Sequence, residues 1–233
     1  LYDALETSVS KGGLEARDTA FARAIVMMVL RRLGEIDEII AAFLREPLPA
    51  RSGPAELILR IACAELVFLE IAAHASVSSA VEMAGHDHRS RHFKGLINAV
   101  ARKIASEGKA IAATLDAEKL NMPAWAWDAC VNAYGEGETR AMAKAHGTEP
   151  PLDITVKNDA LGWAQKLQAQ ILPTGTLRRT TGGRVEDLPG YAEGQWWIQD
   201  AAAAIPARLL GDVQGKTVID LCAAPGGKTA QLA

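Results

Sequence analysis

The sequence predicts a multidomain chain: an all-α helical bundle over residues 1–108, a small α+β connector over 109–198, and the start of an α/β unit over 199–233. Three observations carry this division. Apolar residues recur at helical spacing through the first part. The texture turns to proline and glycine punctuation after Gly108. The last stretch, "TVIDLCAAPGGKTAQL" from Thr217 to Leu232, reads as a buried strand, a glycine loop and the first turn of a helix.

In the first part, Phe21, Ile25, Met28, Val29 and Leu33 form one apolar stripe. Ile36, Ile39, Ile40 and Phe43 form a second, and Phe93, Ile97, Val100 and Ile104 a third. "ELILRIACAELVFLEIA" is apolar nearly all round apart from Arg60 and Glu65, as expected of a central helix enclosed by the others. Breaks are expected at Gly34, in "REPLPARSGP", around "AHASVSS" and in "GHDHRSRHFKG", which leaves five or six helices and no strand. The chain opens without Met, within what reads as a helix.

In the second part, Pro123 opens a helix carrying Trp125, Trp127, Val131 and Tyr134, and "ETRAMAKAHG" is a second helix ending at Gly147. "PPLDITVK" is a short extended run and "ALGWAQKLQAQ" is helical. "GTLRRTTGGRVEDLPGYAEGQWWIQD" has the spacing of strands and turns. An alanine-rich helix near Asp200–Leu210 then leads to the closing strand and loop.

Composition narrows the function classes. A formal net charge of -3, with 49% hydrophobic and 23% charged residues, is ordinary globular composition. Basic and acidic residues number 13 and 14 up to Gly108, and 12 and 14 after it, so any nucleic-acid surface must be local. Cys63, Cys130 and Cys222 are far apart and form no CxxC pair, which argues against a disulfide framework or a thiolate zinc site. Apolar runs such as "AIVMMVL" are too short to span a bilayer, and no signal-peptide pattern is present. A cytoplasmic protein with neither a membrane nor a metal partner is expected.

The glycine loop brings backbone N–H groups within reach of a ligand. It is not a Walker A loop, because Cys222 stands where the first glycine is required, and no G-x-G-x-x-G is present. An ordinary strand-to-helix turn that needs glycines only for its backbone angles stays open on the glycines alone.

The whole string is more specific. "DLCAAPGGKT" closely resembles the first cofactor-binding motif of the Nop2/Sun family of S-adenosylmethionine-dependent RNA cytosine-5 methyltransferases. "LPGYAEGQWWIQDAAAAIPARLL" is similar to that family's approach to the motif. "MPAWAWDACVNAYG" and "EPPLDITVKN" resemble its upstream helix and strand, although "DITVK" stands where the family carries an arginine-bearing strand. The first half, with "RHFKGLINAVARKI" after "SVSSAVEMA", resembles the helical RNA-binding domain of the antitermination factor NusB.

The resemblance implies a NusB-like bundle, a connector and the start of a Rossmann-like methyltransferase domain. Its cofactor would be S-adenosyl-L-methionine and its partner RNA, with a cytosine in ribosomal RNA as substrate. Cys222, Ala223, Ala224, Pro225, Gly226, Gly227 and Lys228 would form the first wall of the cofactor site. The family's chemistry adds a cysteine thiolate to cytosine C6 so that C5 becomes nucleophilic enough to take the methyl group. The resemblance puts the family's two functional cysteines and its ribose-gripping acid in later motifs beyond Ala233, so no catalytic residue is expected here and the chain alone is expected to be inactive. A non-enzymatic NusB-like RNA-binding or antitermination module is the alternative, with the long family-like extension against it.

Among the cysteines, Cys63 and Cys130 read as packing thiols, and Cys222 as part of the cofactor loop rather than a nucleophile. His86, Asp87, His88 and His92 have a spacing that invites a metal, but Arg89, Arg91 and Lys94 oppose cation binding. Arg89, Arg91 and Lys94 are the candidate RNA-phosphate contacts, with an ordinary solvated loop as the competing reading. Trp196 and Trp197 could stack on a base or adenine; an adjacent pair more often puts one ring in the core and the other across a domain seam. Gln199 and Asp200 are candidates to cap the helix that follows.

Overall fold

The computed structural model describes residues 4, 7–8, 11–180 and 183–233. The chain divides into two compact units, Leu1–Thr148 and Glu149–Ala233. The helix expected at the first residues lies largely outside the described residues.

In the first unit the bundle is built from α1 (Ala16–Arg31), α2 (Leu33–Ala41), α3 (Ala55–Cys63), α4 (Ala73–His86) and α5 (Lys94–Ala112). No strand occurs in this unit among the described residues. The central helix forms as its all-round apolarity predicts: Ile58, Leu59, Ala62, Cys63, Leu66 and Val67 are buried, and α3 runs on into one wider turn, Ala64–Phe68. The second and third stripes pack as expected through Ile36, Ile39, Ile40, Ile97, Val100 and Ile104. Phe21 departs from its stripe and is exposed.

The two polar interruptions of α3 find different solutions. Arg60 grips Asp37 of α2 through Nε and NH2 at 2.7 and 2.9 Å. Glu65 is buried, and that burial pushes its carboxyl above the usual carboxylate range.

The chain breaks at Arg32 rather than at Gly34, which lies in the first turn of α2. Glycine is needed at position 34 for a different reason: a Cβ there would overlap the Leu120 carbonyl. That close approach joins the bundle to α6 (Ala117–Leu120), α7 (Ala124–Tyr134) and α8 (Glu136–His146), which belong to the same unit. Buried Glu35 receives Asn121 Nδ2 at 3.0 Å, and Asn121 Oδ1 accepts from Glu35 N–H at 3.0 Å. Arg140 of α8 bonds Asp116 at 2.9 and 3.0 Å and lies 5.3 Å from the ring of buried Trp127. Trp125, two residues away on α7, is 77% exposed.

The second unit is a small antiparallel sheet with helices. Strands β1 (Leu152–Val156), β2 (Gln170–Ile171), β3 (Leu177–Arg179) and β4 (Trp196–Ile198) lie in the order β2-β3-β1-β4. Helix α9 (Ala160–Lys166) follows β1, and α10 (Ala201–Arg208) follows β4. Ile154, Leu167, Leu177 and Trp196 make the core. Extended "PPLDITVK" and the strand-and-turn run thus form where expected, but the helix expected over "ALGWAQKLQAQ" stops at Lys166, and Gln170 already belongs to β2, whose hydrogen bonds to β3 no local pattern announces.

The closing strand does not form. Thr217–Asp220 takes no regular secondary structure and pairs with no strand among the described residues, Leu221 lies in a turn, and Ile219 and Leu221 are 78% and 91% exposed. A parallel central strand is stable only with neighbours that take its N–H and C=O groups and cover both faces. Without that ladder, the apolar run "TVIDL" has the composition of a buried strand and not its pairing. The glycine loop follows, and α11 (Gly227–Leu232) ends the described fold.

Candidate functional site

The glycine loop is held from one side by Asp220. Its Oδ1 accepts the Cys222 N–H at 3.0 Å and its Oδ2 accepts the Thr229 hydroxyl at 2.7 Å, so one carboxylate fastens both ends of "CAAPGGKT". Gly226 has φ +110°, a conformation open to glycine and strained for residues with a Cβ, and an added Cβ would meet nothing within 4 Å. At Gly227 an added Cβ would stand 3.8 Å from the side chain of Gln199.

Gln199 is the support beneath the loop. It is buried, and its Oε1 accepts from the Thr155 hydroxyl at 2.9 Å and the Trp197 indole at 3.0 Å. Its Nε2 donates to Gln231 Oε1 at 3.0 Å, and Gln231 Nε2 donates to the Ala204 carbonyl at 3.0 Å. Strands β1 and β4 and helices α10 and α11 are thereby fixed through one amide. A buried polar group satisfied this fully specifies geometry, because losing one partner leaves another stranded.

Beside this network the second unit carries a cleft of about 700 Å³ whose lining includes Ala223, Pro225, Gly226, Trp197, Asp200 and Lys157. The volume is that of a small-molecule site. Six of the seven loop residues singled out from the sequence, Ala223 to Lys228, lie on its wall. Cys222 does not: it is exposed and lines a neighbouring, smaller cleft of about 340 Å³ with Val218 and Leu221. Trp196 is buried in the core with its indole donating to the Pro189 carbonyl at 2.8 Å, and both it and the less buried Trp197 contribute to the cleft wall. Asp200 caps α10 through Oδ1, which accepts from the N–H groups of Ala202 and Ala203 at 2.8 and 3.1 Å. Gln199 is not a cap.

Sequence reasoning missed Thr155, Lys157, Asp153 and Gln231. A signal for two of them exists in the alternation "DIT": Asp153 and Thr155 sit on the same side of β1, opposite Ile154, and all three are buried. Polar residues at period 2 in a buried strand require partners, and these have them. Lys157 and Gln231 carry no such local signal.

The three cysteines occupy different environments. Burial, with Glu35 and Asp37 adding to it, pushes the Cys63 thiol up to about 12, which makes it inert at neutral pH. Cys130 is half-buried on α7.

In the first unit, Arg89, Arg91 and Lys94 are exposed and sit together at the turn that enters α5. Asp87 shapes this turn by accepting the N–H groups of Arg89 and Ser90 at 2.9 and 3.1 Å, and those bonds hold its carboxyl below the usual range. Arg89 Nε is only loosely paired with Asp87, at 3.9 Å. Cations at a helix N-terminus add to the positive end of the helix dipole, so the arrangement concentrates potential for an anion. No group of three or more His, Cys, Asp or Glu able to hold a metal occurs among the described residues, and no helix there is long and apolar enough to cross a membrane.

Comparison with known proteins adds the following. The NusB family model matches residues 1–106. "Ribosomal RNA small subunit methyltransferase B" of Vibrio cholerae is 31% identical over 94% of this chain and 53% of its own length. "Probable ribosomal RNA small subunit methyltransferase B" of Synechocystis is 29% identical over 99% of this chain and 55% of its own. The crystal structure of PH0851 matches in fold, with a TM-score of 0.66 at 20% identity over 98% of this chain and 55% of that one. The chain spans about half the length of the curated relatives it matches.

Proposed function

We propose, from the match of residues 1–106 to the NusB family model and the similarity of nearly the whole chain to proteins named ribosomal RNA small subunit methyltransferase B, that the chain serves S-adenosylmethionine-dependent methylation of cytosine C5 in ribosomal RNA. The observation that supports this most is the convergence of Ala223 to Lys228 with Trp197, Asp200 and Lys157 around a single cleft.

The cleft fits S-adenosyl-L-methionine in size and character. Trp197, Ala223 and Pro225 offer apolar surface to a purine. Lys157 and Lys228 are cations for a carboxylate. Asp200 uses Oδ1 for its helix cap, which leaves Oδ2 for an ammonium or hydroxyl group. When bound, the cofactor supplies an electrophilic methyl group. Gln199 keeps the loop at a fixed distance from β4, so the protein's part in this wall is to position rather than to react.

The thiolate that adds to cytosine C6 is assigned outside residues 1–233. Cys63 is enclosed and protonated, Cys130 lies half-buried on a helix of the other unit, and Cys222 lines the adjacent cleft rather than the loop's. Residues 199–233 begin a Rossmann-like domain in this reading. The helical unit holds the RNA, with Arg89, Arg91 and Lys94 as phosphate contacts, and the protein works in the cytoplasm.

The test is methyl transfer from labelled S-adenosylmethionine to ribosomal RNA by a chain extended to the length of its relatives, with nucleoside analysis of the product. Label in 5-methylcytosine is expected, and none with the 233-residue chain alone. Label in another nucleoside, or transfer by the 233-residue chain, would overturn the assignment.

A further inference from the structure

A second feature of the helical unit lies along the seam between α4 and α5, where a groove of about 610 Å³ is lined by His74, Ser78, Asn98 and Arg102 among small and apolar residues, with no carboxylate in its wall. Arg102 is exposed, makes no ion pair among the described residues, and donates Nε to Asn98 Oδ1 at 3.3 Å. Lys94 reaches the same seam from the other end: its ammonium lies 3.2 Å from where a Cβ of Gly85 would stand, so the absent side chain on α4 makes room for it.

Lys94, Asn98 and Arg102 follow one another at intervals of four residues and share a face of α5. Each interval advances about 6 Å along the axis. That is close to the separation of successive phosphates in an extended nucleic-acid strand. The row of donors therefore runs at the right repeat from Lys94 of the basic corner to Arg102; the groove's own lining holds no carboxylate, and Glu82, which follows His74 and Ser78 at the same interval on α4, lies 3.8 Å from His86 Nε2 at the Lys94 end.

We propose that the α4–α5 groove is a phosphate track for single-stranded RNA, continuing from the basic corner and anchored at its far end by Arg102. The proposal rests on the reading of this unit as RNA-binding and extends it to residues that the basic cluster does not include. Arg102 clamps a phosphate, held in place by Asn98. His74 and Ser78 supply further donors from α4, and the apolar floor around Val77 and Val81 lies open to a sugar or base edge.

The experiment is a salt series of dissociation constants for the 233-residue chain with a short mixed-sequence single-stranded RNA. Arg102→Ala should weaken binding and lower the slope of log affinity against log salt by about 0.7, the amount for one neutralised phosphate on a single strand. Arg102→Lys, which keeps the charge, should restore the slope while binding less tightly, because the two-pronged contact is lost. Thermal denaturation should barely move, since Arg102 is exposed and its hydrogen bond to Asn98 is a surface contact within one helix.

An Arg102→Ala slope equal to the parent's overturns the track. If the triple alanine variant of Arg89, Arg91 and Lys94 then still lowers the slope, the groove alone is excluded and the RNA reading of the unit stands. If neither variant moves it, both fail. Competition by polyglutamate as effective as by RNA at matched charge would assign the groove to an acidic protein segment and also overturn the proposal.

Discussion

Arg178 meets Asp153 across the β1–β3 ladder through two hydrogen bonds of 2.8 and 2.7 Å, and the two residues are direct partners in the strand register. The same carboxylate receives the N–H of Ala201 at 3.0 Å, which ties the first turn of α10 to the central strand. Arg178, with the Ala201 N–H adding to it, holds the Asp153 carboxyl below the usual carboxylate range. Because the folded-state value is depressed, the stabilisation is fully present above the unfolded value and is lost as pH falls through the folded one. The sheet unit should therefore loosen on acidification below the ordinary carboxylate range. Asp153→Asn should be less stable at neutral pH and should flatten that part of the pH profile, as followed by tryptophan fluorescence.

The two loop glycines should fail for different reasons. Gly226→Ala meets no atom but forces a side chain into a left-handed backbone, at about 1–3 kcal/mol. Gly227→Ala makes only ordinary contact with Gln199, whereas Gly227→Leu must displace it. Calorimetric titration with S-adenosylmethionine, in a chain of the relatives' length, should show weakened binding for Gly226→Ala and Gly227→Leu and near-parent binding for Gly227→Ala.

Cys222 can be separated from the chemistry. With its side chain outside the loop's cleft, Cys222→Ala should keep most of the methyl-transfer rate of the extended chain. A variant that binds cofactor and RNA normally yet transfers nothing would make Cys222 a reacting group.

In the helical unit, Gly34→Ala pushes a methyl group into the Leu120 carbonyl, so it should destabilise by about 1–3 kcal/mol or more, visible as a lower urea midpoint. Glu35→Ala strands Asn121 at the same junction and should act in the same direction.

Joint replacement of Arg89, Arg91 and Lys94 by alanine should leave helical circular dichroism intact and lower the salt slope of RNA binding by up to about 2, at roughly 0.7 per phosphate. An unchanged slope would return the cluster to ordinary solvated surface.

What the sequence determined by itself is the local layer. Helical periodicity located α1, α2, α5 and the central helix α3, because a buried face must recur every third or fourth residue; α4 was not located this way, and the break expected around "AHASVSS" falls inside it. Pro123 and Gly147 marked the ends of the α7–α8 pair, and the loop string "CAAPGGKT" carried a family resemblance in the identity of its residues. What only the tertiary structure decided are relationships between residues distant in sequence. Gly34 owes its glycine to Leu120, Gln199 is a hub because Thr155, Trp197 and Gln231 converge on it, and Lys157 shares a cleft with the distant glycine loop. Strand formation belongs to the same class. "TVIDL" has the composition of a buried strand, yet a strand's hydrogen bonds are made to its neighbours and not within itself, so no local pattern can form one without a partner.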